Sequence, residues 1–520
     1  MGQNREMPTI RYYDWIRHHG GGRPNQVAIH DLGSGRRLTY RELDRRTDQL
    51  GAYLQSLGVQ KGDRVGMLAQ NGPEFFELQF ACGRIGAIAV LLNWRLTVPE
   101  LEYILNDSSP MVLIHDASFG EVAIQLQTLC SIEHLVSIVM GSADSPYETA
   151  LASAGPISVL DLTHDDPSTI MYTSGTTGHP KGAIITHGMT FWNCVNLGIP
   201  ARITSETVQL VSLPLFHTGG LNCYANPVLH AGGTIIIQRT FDPGEALTVF
   251  GDRSYGVTHY FAVPAPYQFM AQHPLFEEVD LSRLQVAGVG GAPCALSILE
   301  AWAGRGVEIV QGYGMTETSP GATVLDAADA MRKLGSAGKP VLHTSVRIVG
   351  EDGVDTRPGE VGELWIAGSN ITPGYWNKPE ATASSFDGPW LKTGDAARLD
   401  DEGFVYIVDR WKDMYISGGE NVYPAEVENV IFQLPEVADA AIIGVPSEKW
   451  GEAGKAIIVL KPGTTLEPRV VIDHCVSKLA RFKVPATVEF IDVLPRNATG
   501  KVLKRELRVQ FVGGDAPAIS

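Results

Sequence analysis

Helix-like and strand-like segments alternate along most of this chain, and that alternation limits the fold more than any other feature of the sequence. Thr39 and Glu42 form a capping box, a hydroxyl at the N-cap and a carboxylate three positions later. Leu43, Leu50, Leu54 and Leu57 follow at helical spacing, and Gly58 supplies the stop. The run 64–68, RVGML, reads as a strand, 73–84 as a helix, and 86–92 and 111–115 as buried strands. Further β-rich runs stand at 208–213, 234–238, 258–263, 284–289 and 307–310, with helical stretches between several of them. Parallel strands need a crossover, and a helix supplies it, so the expectation is an α/β fold built on a largely parallel, doubly wound sheet.

The texture changes near Gly338. Short runs at 345–348, 362–366 and 404–408 are separated by Gly, Pro and Asp, which reads as a small β-rich subdomain over about 338–410. It changes again near Asp409-Arg410-Trp411-Lys412. A strand at 415–417, the turn Gly418-Gly419, a helix at 424–434, strands at 438–443 and 455–460 and a helix at 469–479 make a small α+β domain. The expected division is therefore 1–410 and 411–520, with a disordered tail at 513–520.

Charge and composition exclude some classes of function. Of the 520 residues, 58 are acidic and 41 basic, a formal net charge of −17. A general nucleic-acid binder needs a positive surface, so no nucleic-acid partner is expected. Any anion site must bring its own positive charge. The six cysteines, Cys82, Cys130, Cys194, Cys223, Cys294 and Cys475, include no C-x-x-C pair. Neither a zinc site nor a disulfide framework is indicated, and thiols in a reducing cytoplasm are the expectation. The first fifteen residues hold no apolar secretion core, and Arg5-Glu6 stand where a myristoylation motif wants a hydroxyl. No run of 18 apolar residues marks an integral membrane segment.

The chemistry centres on residues 171–187, MYTSGTTGHPKGAIITH. Met171 and Tyr172 end a strand. Thr173, Ser174, Gly175, Thr176, Thr177 and Gly178 bring four hydroxyls and two glycines, which can turn N–H and O–H groups around an anion. Lys181 adds a positive charge. The pattern is not a Walker A loop, because Pro180 and Ala183 stand five positions after Gly175 and Gly178 and Gly182 follows Lys181. Alone, the stretch can also be read as a polar hairpin loop, the less favoured of the two readings.

Partners lie downstream. In Gln311–Glu317, glycines 312 and 314 let backbone approach a flat ligand, Tyr313 can stack on a base, and Glu317 offers oxygen to Mg²⁺. Thr393-Gly394-Asp395 places a short carboxylate after a turn, suited to the two hydroxyls of a ribose. Arg410 ends a strand and can donate to ribose or phosphate. Lys501 sits on a loop near the C-terminus. Singly, these read as a solvated Glu, an N-cap Asp, a surface Arg and an exposed Lys.

Together and in this order, YTSGTTGHPKG, QGYGMTE, WLKTGD, DRWKDMYISGGENVYPAEVE and PRNATGKVLK closely resemble the AMP-forming acyl-CoA synthetases. These belong to the adenylate-forming family, with firefly luciferase and the peptide-synthetase adenylation domains. The likeness runs from about residue 8 to 510. Through PLFH, GGAP, GSAGKP and GYGMTE it leans toward the feruloyl-CoA and medium- to long-chain fatty acyl-CoA ligases.

The resemblance implies a large N-terminal domain of two doubly wound mixed sheets plus the β-rich subdomain, and a small mobile C-terminal domain. It implies ATP, Mg²⁺ and CoA. Thr173 to Lys181 embrace the β- and γ-phosphates. Gly291-Ala292-Pro293 and Gly312-Tyr313-Gly314 border adenine, Thr316 touches the α-phosphate, and Glu317 binds Mg²⁺. Asp395 and Arg410 hold ribose, and Lys501 supports adenylation. His217 resembles the gate between acid and ATP sites, and Lys412 sits at the hinge. Gly418 and Gly419 line the pantetheine tunnel. The acid pocket is lined from His217 through Thr218, Gly219, Gly220 and Leu221 to Asn222, by 262–267, and by Gly288, Gly290, Gly314, Met315 and Thr318. None of these carries a charge beyond His217, so the expected partner is a carboxylic acid with no second charge, aromatic or alkyl.

The implied reaction is acyl-adenylate formation followed by thioester formation with CoA, in the cytoplasm. A homodimer is left open. Loading of a carrier protein, a luciferase-like oxidation and a nucleotide-binding regulator are the competing readings; no carrier domain follows, and Glu317 with Lys501 disfavours the regulator.

Overall fold

A computed structural model of the chain describes residues 9–173, 180–292, 294–410, 413–417, 420–447, 450–496 and 502–512. Of the positions singled out above, Ser174, Gly175, Thr176, Thr177, Gly178, Pro293, Lys412, Gly418, Gly419 and Lys501 lie outside the described residues, as does the tail 513–520. The chain divides into two compact units, Met1–Val346 with Ile366–Leu391, and Arg347–Trp365 with Lys392–Ser520.

The first unit holds two mixed α/β sheets. The six-stranded sheet runs His134–Ile138, Val112–Asp116, Arg64–Leu68, Ile88–Leu91, Pro167–Thr173 and Lys181–Thr186. All its neighbours are parallel except the last pair. The nine-stranded sheet has six parallel strands in the order Ile309–Gly314, Val286–Val289, His259–Ala262, Val208–Val211, Thr234–Ile237 and Val27–Asp31. Antiparallel strands close both edges. Crossover helices begin where the sequence supplies caps. Thr39 accepts from the Glu42 N–H while Glu42 returns to the Thr39 N–H at 2.8 Å. Asp242 accepts from the Glu245 N–H at 2.7 Å ahead of Pro243–Gly251.

Strand alternation distributes the core. Ile235 and Ile237 join the apolar cluster that also takes Val65, Met67 and Leu91 of the six-stranded sheet. Ile236 faces the opposite cluster, with Tyr260 and Trp302. Phe75, Phe76 and Phe80 of the helix Glu74–Ile85 fill the first cluster, and every residue of that helix is buried. Its charges are paired accordingly. Arg84 donates to Asp14, Asp44 and Asp48 at 2.6–2.8 Å, and Arg46 reaches Glu77 at 2.6 Å.

A five-stranded sheet of Thr344–Val349, Gly362–Gly368, Trp390–Leu399, Phe386–Asp387 and Val405–Arg410 carries the chain from one unit to the other. In the second unit, Val437–Ser447 and Gly451–Leu460 form a long antiparallel pair. Tyr415–Ser417 and Glu420–Val422 extend one end, and Thr487–Phe490 adds a parallel strand. Ile442 and Ile458 pack on one face with Val427 and Val471 of two helices. Ile443 and Ile457 pack on the other with Leu507 of the helix Lys504–Val512. This is the expected α+β content, with a final helix, Lys504–Val512, in addition.

His187 opens the helix His187–Gly198 and stacks on Tyr12, ring centres 4.1 Å apart. Burial pushes its imidazole down to about 4. The unfolded chain then takes up a proton first as pH falls below 6.5, so stability is lost between pH 6.5 and 4, by about 3 kcal/mol from this group. The expected outcome for His187→Gln is a flatter dependence of the denaturation midpoint on pH across that window; an unchanged slope contradicts it.

Candidate active site

The nine-stranded sheet places QGYGMTE at its carboxyl end, where open α/β sheets bind ligands. Ile309–Gly314 is a strand, so Gln311, Gly312, Tyr313 and Gly314 are extended and half-buried rather than a loop. Gly314 admits no side chain: a Cβ there would stand 1.7 Å from the Pro320 carbonyl oxygen. The close approach exists because the chain doubles back through a single 3₁₀ turn, Thr316–Thr318, and a left-handed Ser319. Thr318 holds the turn, accepting from the Met315 N–H and donating to the Pro320 carbonyl. Thr316 and Glu317 are thereby buried, Glu317 to 4% exposure. Gly291, at φ +78°, and Ala292 are exposed at the end of the neighbouring strand.

A segment that the sequence reading overlooked stitches this turn to the six-stranded sheet. Asn370 donates to the carbonyls of Thr318 and Gly321, at 2.8 and 2.7 Å. The Thr372 N–H donates to the Glu317 carbonyl at 2.8 Å, and the Thr372 hydroxyl to the Ile184 carbonyl at 2.7 Å. Ile184 and Trp376 donate backbone N–H groups across to Gly374 and Gly182. Tyr375 then lies between two candidate residues. Its hydroxyl donates to Glu317 Oε1 at 2.8 Å, and its ring centre is 5.3 Å from Lys181 Nζ. Thr173 and Lys181 face each other across the antiparallel pair that brackets the hydroxyl-rich loop, and Thr173 Oγ1 donates to the Lys181 carbonyl at 3.4 Å. Lys181 and Glu317 therefore meet at Tyr375, and Thr173 lies opposite Lys181 on the strand pair.

The candidate acid pocket forms on the helical run that begins at His217. His217 Nδ1 accepts from the Gly219 N–H at 3.3 Å, which puts the ring proton on Nε2. Burial lowers its imidazole pKa, so the ring is neutral near pH 7. Thr218–Gly220 passes into a π-helical turn, Leu221–Ala225, and on into Asn226–Ala231. π-turns are uncommon and often stand at ligand sites. Asn193 ties this run to the Glu317 turn, since its amide donates to the Asn222 carbonyl at 2.7 Å and accepts from the Gly321 N–H at 3.0 Å. Across the run, the Tyr224 hydroxyl and Phe261 ring occupy the space a Cβ at Gly288 would take, 2.6 and 2.9 Å from it. Phe261 also flanks Gly290. Tyr375, Asn193, Asn370 and Tyr224 were not legible as site residues. Only the buried, side-chain-bonded Asn residues, and an aromatic beside a glycine, hint at them.

In the second unit, Asp395 and Arg410 are directly opposed on neighbouring antiparallel strands. One sequence expectation is corrected here. Asp395 does not follow a turn; it sits inside the strand Trp390–Leu399, buried to 5% exposure. Gly394, at φ +69°, produced the turn-like signature without ending the strand. The Glu363 carboxylate accepts from the Gly394 N–H, and Thr393 Oγ1 from the Asp395 N–H. Around Lys501, Arg496 bridges Val502 and the Leu503 N–H donates to the Pro495 carbonyl. Ser417 and Glu420 pair on either side of Gly418 and Gly419.

Among the described residues no cluster of three or more His, Cys, Asp or Glu is placed to hold a metal. A single buried carboxylate fits Mg²⁺ that arrives on substrate phosphates and keeps its waters, because that ion seldom occupies an all-protein cage. Glu317 is a buried carboxylate of that kind.

Two mixed α/β sheets followed by a smaller α+β unit are the architecture of an adenylate-forming enzyme. The chain belongs to the AMP-binding enzyme family, which it matches over residues 16–376, with the AMP-binding enzyme C-terminal domain over 426–501. It is 44% identical over 488 residues to a feruloyl-CoA synthase of Amycolatopsis sp., covering 94% of this chain and 96% of that one. It is 39% identical, with the same coverage, to the long-chain-fatty-acid–CoA ligase FadD13 of Mycobacterium tuberculosis. The o-succinylbenzoate coenzyme A synthetase of Bacillus subtilis, solved with ATP and a magnesium ion, superposes with a TM-score of 0.85 at 32% identity, covering 95% of this chain and 99% of that one.

Gly314→Ala is expected to lower stability by about 1–3 kcal/mol, because the Pro320 carbonyl must move. Gly312→Ala, whose Cβ would lie 3.2 Å from the Thr323 oxygen, is expected to lower it less. Thermal denaturation of the two variants checks the order; equal midpoints contradict the tight turn.

Proposed function

We propose that this AMP-binding enzyme is an AMP-forming carboxylic acid–CoA ligase whose acid is aromatic, of phenylpropanoid type, or a medium- to long-chain fatty acid. The observation that carries the reading is Glu317, buried in QGYGMTE and held by Tyr375 against the strand pair that ends in Thr173 and begins at Lys181. A carboxylate suited to a phosphate-borne cation and an ammonium suited to the phosphates themselves both contact Tyr375, which supports the reading. Two of the compared relatives, named for feruloyl-CoA and for long-chain fatty acyl-CoA, support both substrate classes. The uncharged lining from Thr218 to Asn222 supports a substrate without a second charge.

A carboxylate is a poor acyl donor, because its leaving group would be oxide. In the first half-reaction a carboxylate oxygen attacks the α-phosphorus of ATP. The bond to the β-phosphate oxygen breaks, giving acyl-AMP and pyrophosphate. Lys181 and the hydroxyls from Thr173 to Thr177 neutralise the departing pyrophosphate, and Thr316 donates to the α-phosphate. Asp395 and Arg410 hold the ribose, while Gly291, Ala292, Pro293 and Gly312–Gly314 flank the adenine. Lys501 bridges the carboxylate and phosphate oxygens. Glu317 would hold magnesium carried on the phosphates, and the ion would supply charge neutralisation there. In the second half-reaction the CoA thiol, losing its proton, attacks the acyl carbonyl, and the bond to AMP breaks. The neutral ring of His217 fits a gate, since it can turn without forming an ion pair with the acid.

The half-reactions make opposite demands on the C-terminal domain: Lys501 in the first, and a passage beside Gly418 and Gly419 in the second. Lys412 is the proposed pivot. ATP and CoA as substrates fit a cytoplasmic location.

The reading is tested by acid-dependent ATP–pyrophosphate exchange over a panel of cinnamic-type and C8–C18 acids, followed by thioester analysis with CoA. Exchange with at least one acid and a matching CoA thioester are expected. Absence of exchange with every acid overturns the ligase reading, and exchange with acyl transfer only to a carrier protein replaces CoA as acceptor. Lys501→Ala is expected to slow adenylation by about 10²-fold or more while sparing thioester formation from supplied acyl-AMP. Gly418→Leu is expected to show the reverse bias. Equal loss of both half-reactions in either variant removes that residue from its role.

A further inference from the structure

Tyr375 belongs to none of the motifs to which a role was given above, yet it touches both the Glu317 and the Lys181 side chains, with its hydroxyl at 2.8 Å from the first and its ring centre at 5.3 Å from the second. Its backbone is over-determined. Its N–H donates to Thr382 Oγ1 at 2.9 Å, and it bridges Ala183 on the strand that begins at Lys181. Gly374, at φ +143°, delivers it there; a Cβ on that glycine would meet Thr382 at 2.4 Å. The far side of the segment is anchored as well. Lys378 Nζ and the Tyr172 hydroxyl donate to the two oxygens of Asp107, each at 2.7 Å. Tyr172 directly precedes Thr173, so one carboxylate ties the entry to the hydroxyl-rich loop and the segment that carries Tyr375.

A tyrosine that only filled space would not need a hydroxyl directed at one carboxylate oxygen, nor four anchors on three elements. We infer that Tyr375 is a positioning residue for adenylation: by occupying Glu317 Oε1 it sets the orientation in which the carboxylate meets the magnesium of MgATP, and its ring seats the Lys181 ammonium. The inference rests on the reading of Glu317 as the magnesium-binding carboxylate. A hydrogen bond to a carboxylate restricts its rotation and lowers the cost of ordering it on binding. The ring contact is electrostatic and survives loss of the hydroxyl, so Tyr375→Phe separates the two contributions.

The test compares equilibrium binding of ATP in excess Mg²⁺ and in EDTA, and the Mg²⁺ dependence of pyrophosphate exchange, for the parent, Tyr375→Phe, Tyr375→Leu, Glu317→Gln and the Tyr375→Phe/Glu317→Gln pair. Thermal midpoints are measured alongside. Tyr375→Phe is expected to weaken MgATP binding by about tenfold and raise the half-activating Mg²⁺ concentration, with metal-free ATP binding unchanged. In the Glu317→Gln background the same change is expected to have little further effect. Tyr375→Leu is expected to weaken metal-free ATP binding as well, through Lys181. Tyr375→Phe that binds both forms like the parent, or weakens both equally with a lowered midpoint, overturns the inference while the role of Glu317 stands. Glu317→Gln with unaltered Mg²⁺ dependence overturns the reading of Glu317 and the inference with it.

Discussion

A buried carboxylate is the constraint on which this structure turns. Glu317 is 4% exposed, and a charge at that depth persists only with fixed donors around it. The Tyr375 hydroxyl is one such donor, brought there by the segment 370–376, which crosses a turn too tight for any residue but glycine at 314. The same segment continues the edge of the six-stranded sheet through Gly182 and Ile184. Asn193 adds the helical run of the acid pocket through Asn222. Three parts of the first unit, one from each sheet and one from the helices between them, are thus held in register by hydrogen bonds that converge on one turn.

This arrangement suits phosphoryl chemistry that employs no protein nucleophile. Charge must be neutralised and reactants aligned, and both tasks fall to rigid groups at sheet ends. In the second unit the backbones of Asp395 and Arg410 are opposed across a strand pair, so that their spacing follows from β-geometry and not from loop conformation. The role proposed for Lys501 rests on the motif PRNATGKVLK.

Much of the fold was legible because its signals are local. The Thr39–Glu42 capping box, the leucine spacing after it and the runs 64–68 and 234–238 all became the elements they announce. Two short strands were not: Val27–Asp31, with its intervening histidine, pairs with Thr234–Ile237 some two hundred residues away, and the edge strand Arg37–Thr39 pairs in turn with Val27–Asp31. The Gly394 error has a similar origin. A left-handed glycine is a turn signal in isolation, but here the Glu363 carboxylate accepts its N–H and the strand continues. Within the site, motif residues such as Glu317 and Asp395 could be named from sequence. Tyr375 and Asn193 could not, because their meaning lies in contacts across 58 and 128 positions.

The central claim, that a carboxylate attacks the α-phosphorus of ATP, is tested most directly by isotope transfer. An accepted acid carrying ¹⁸O in both carboxyl oxygens is turned over with ATP and CoA, and the products are weighed by mass spectrometry. The account predicts one ¹⁸O in AMP, one in the thioester carbonyl and none in pyrophosphate. Label in inorganic phosphate, with ADP in place of AMP, would contradict it.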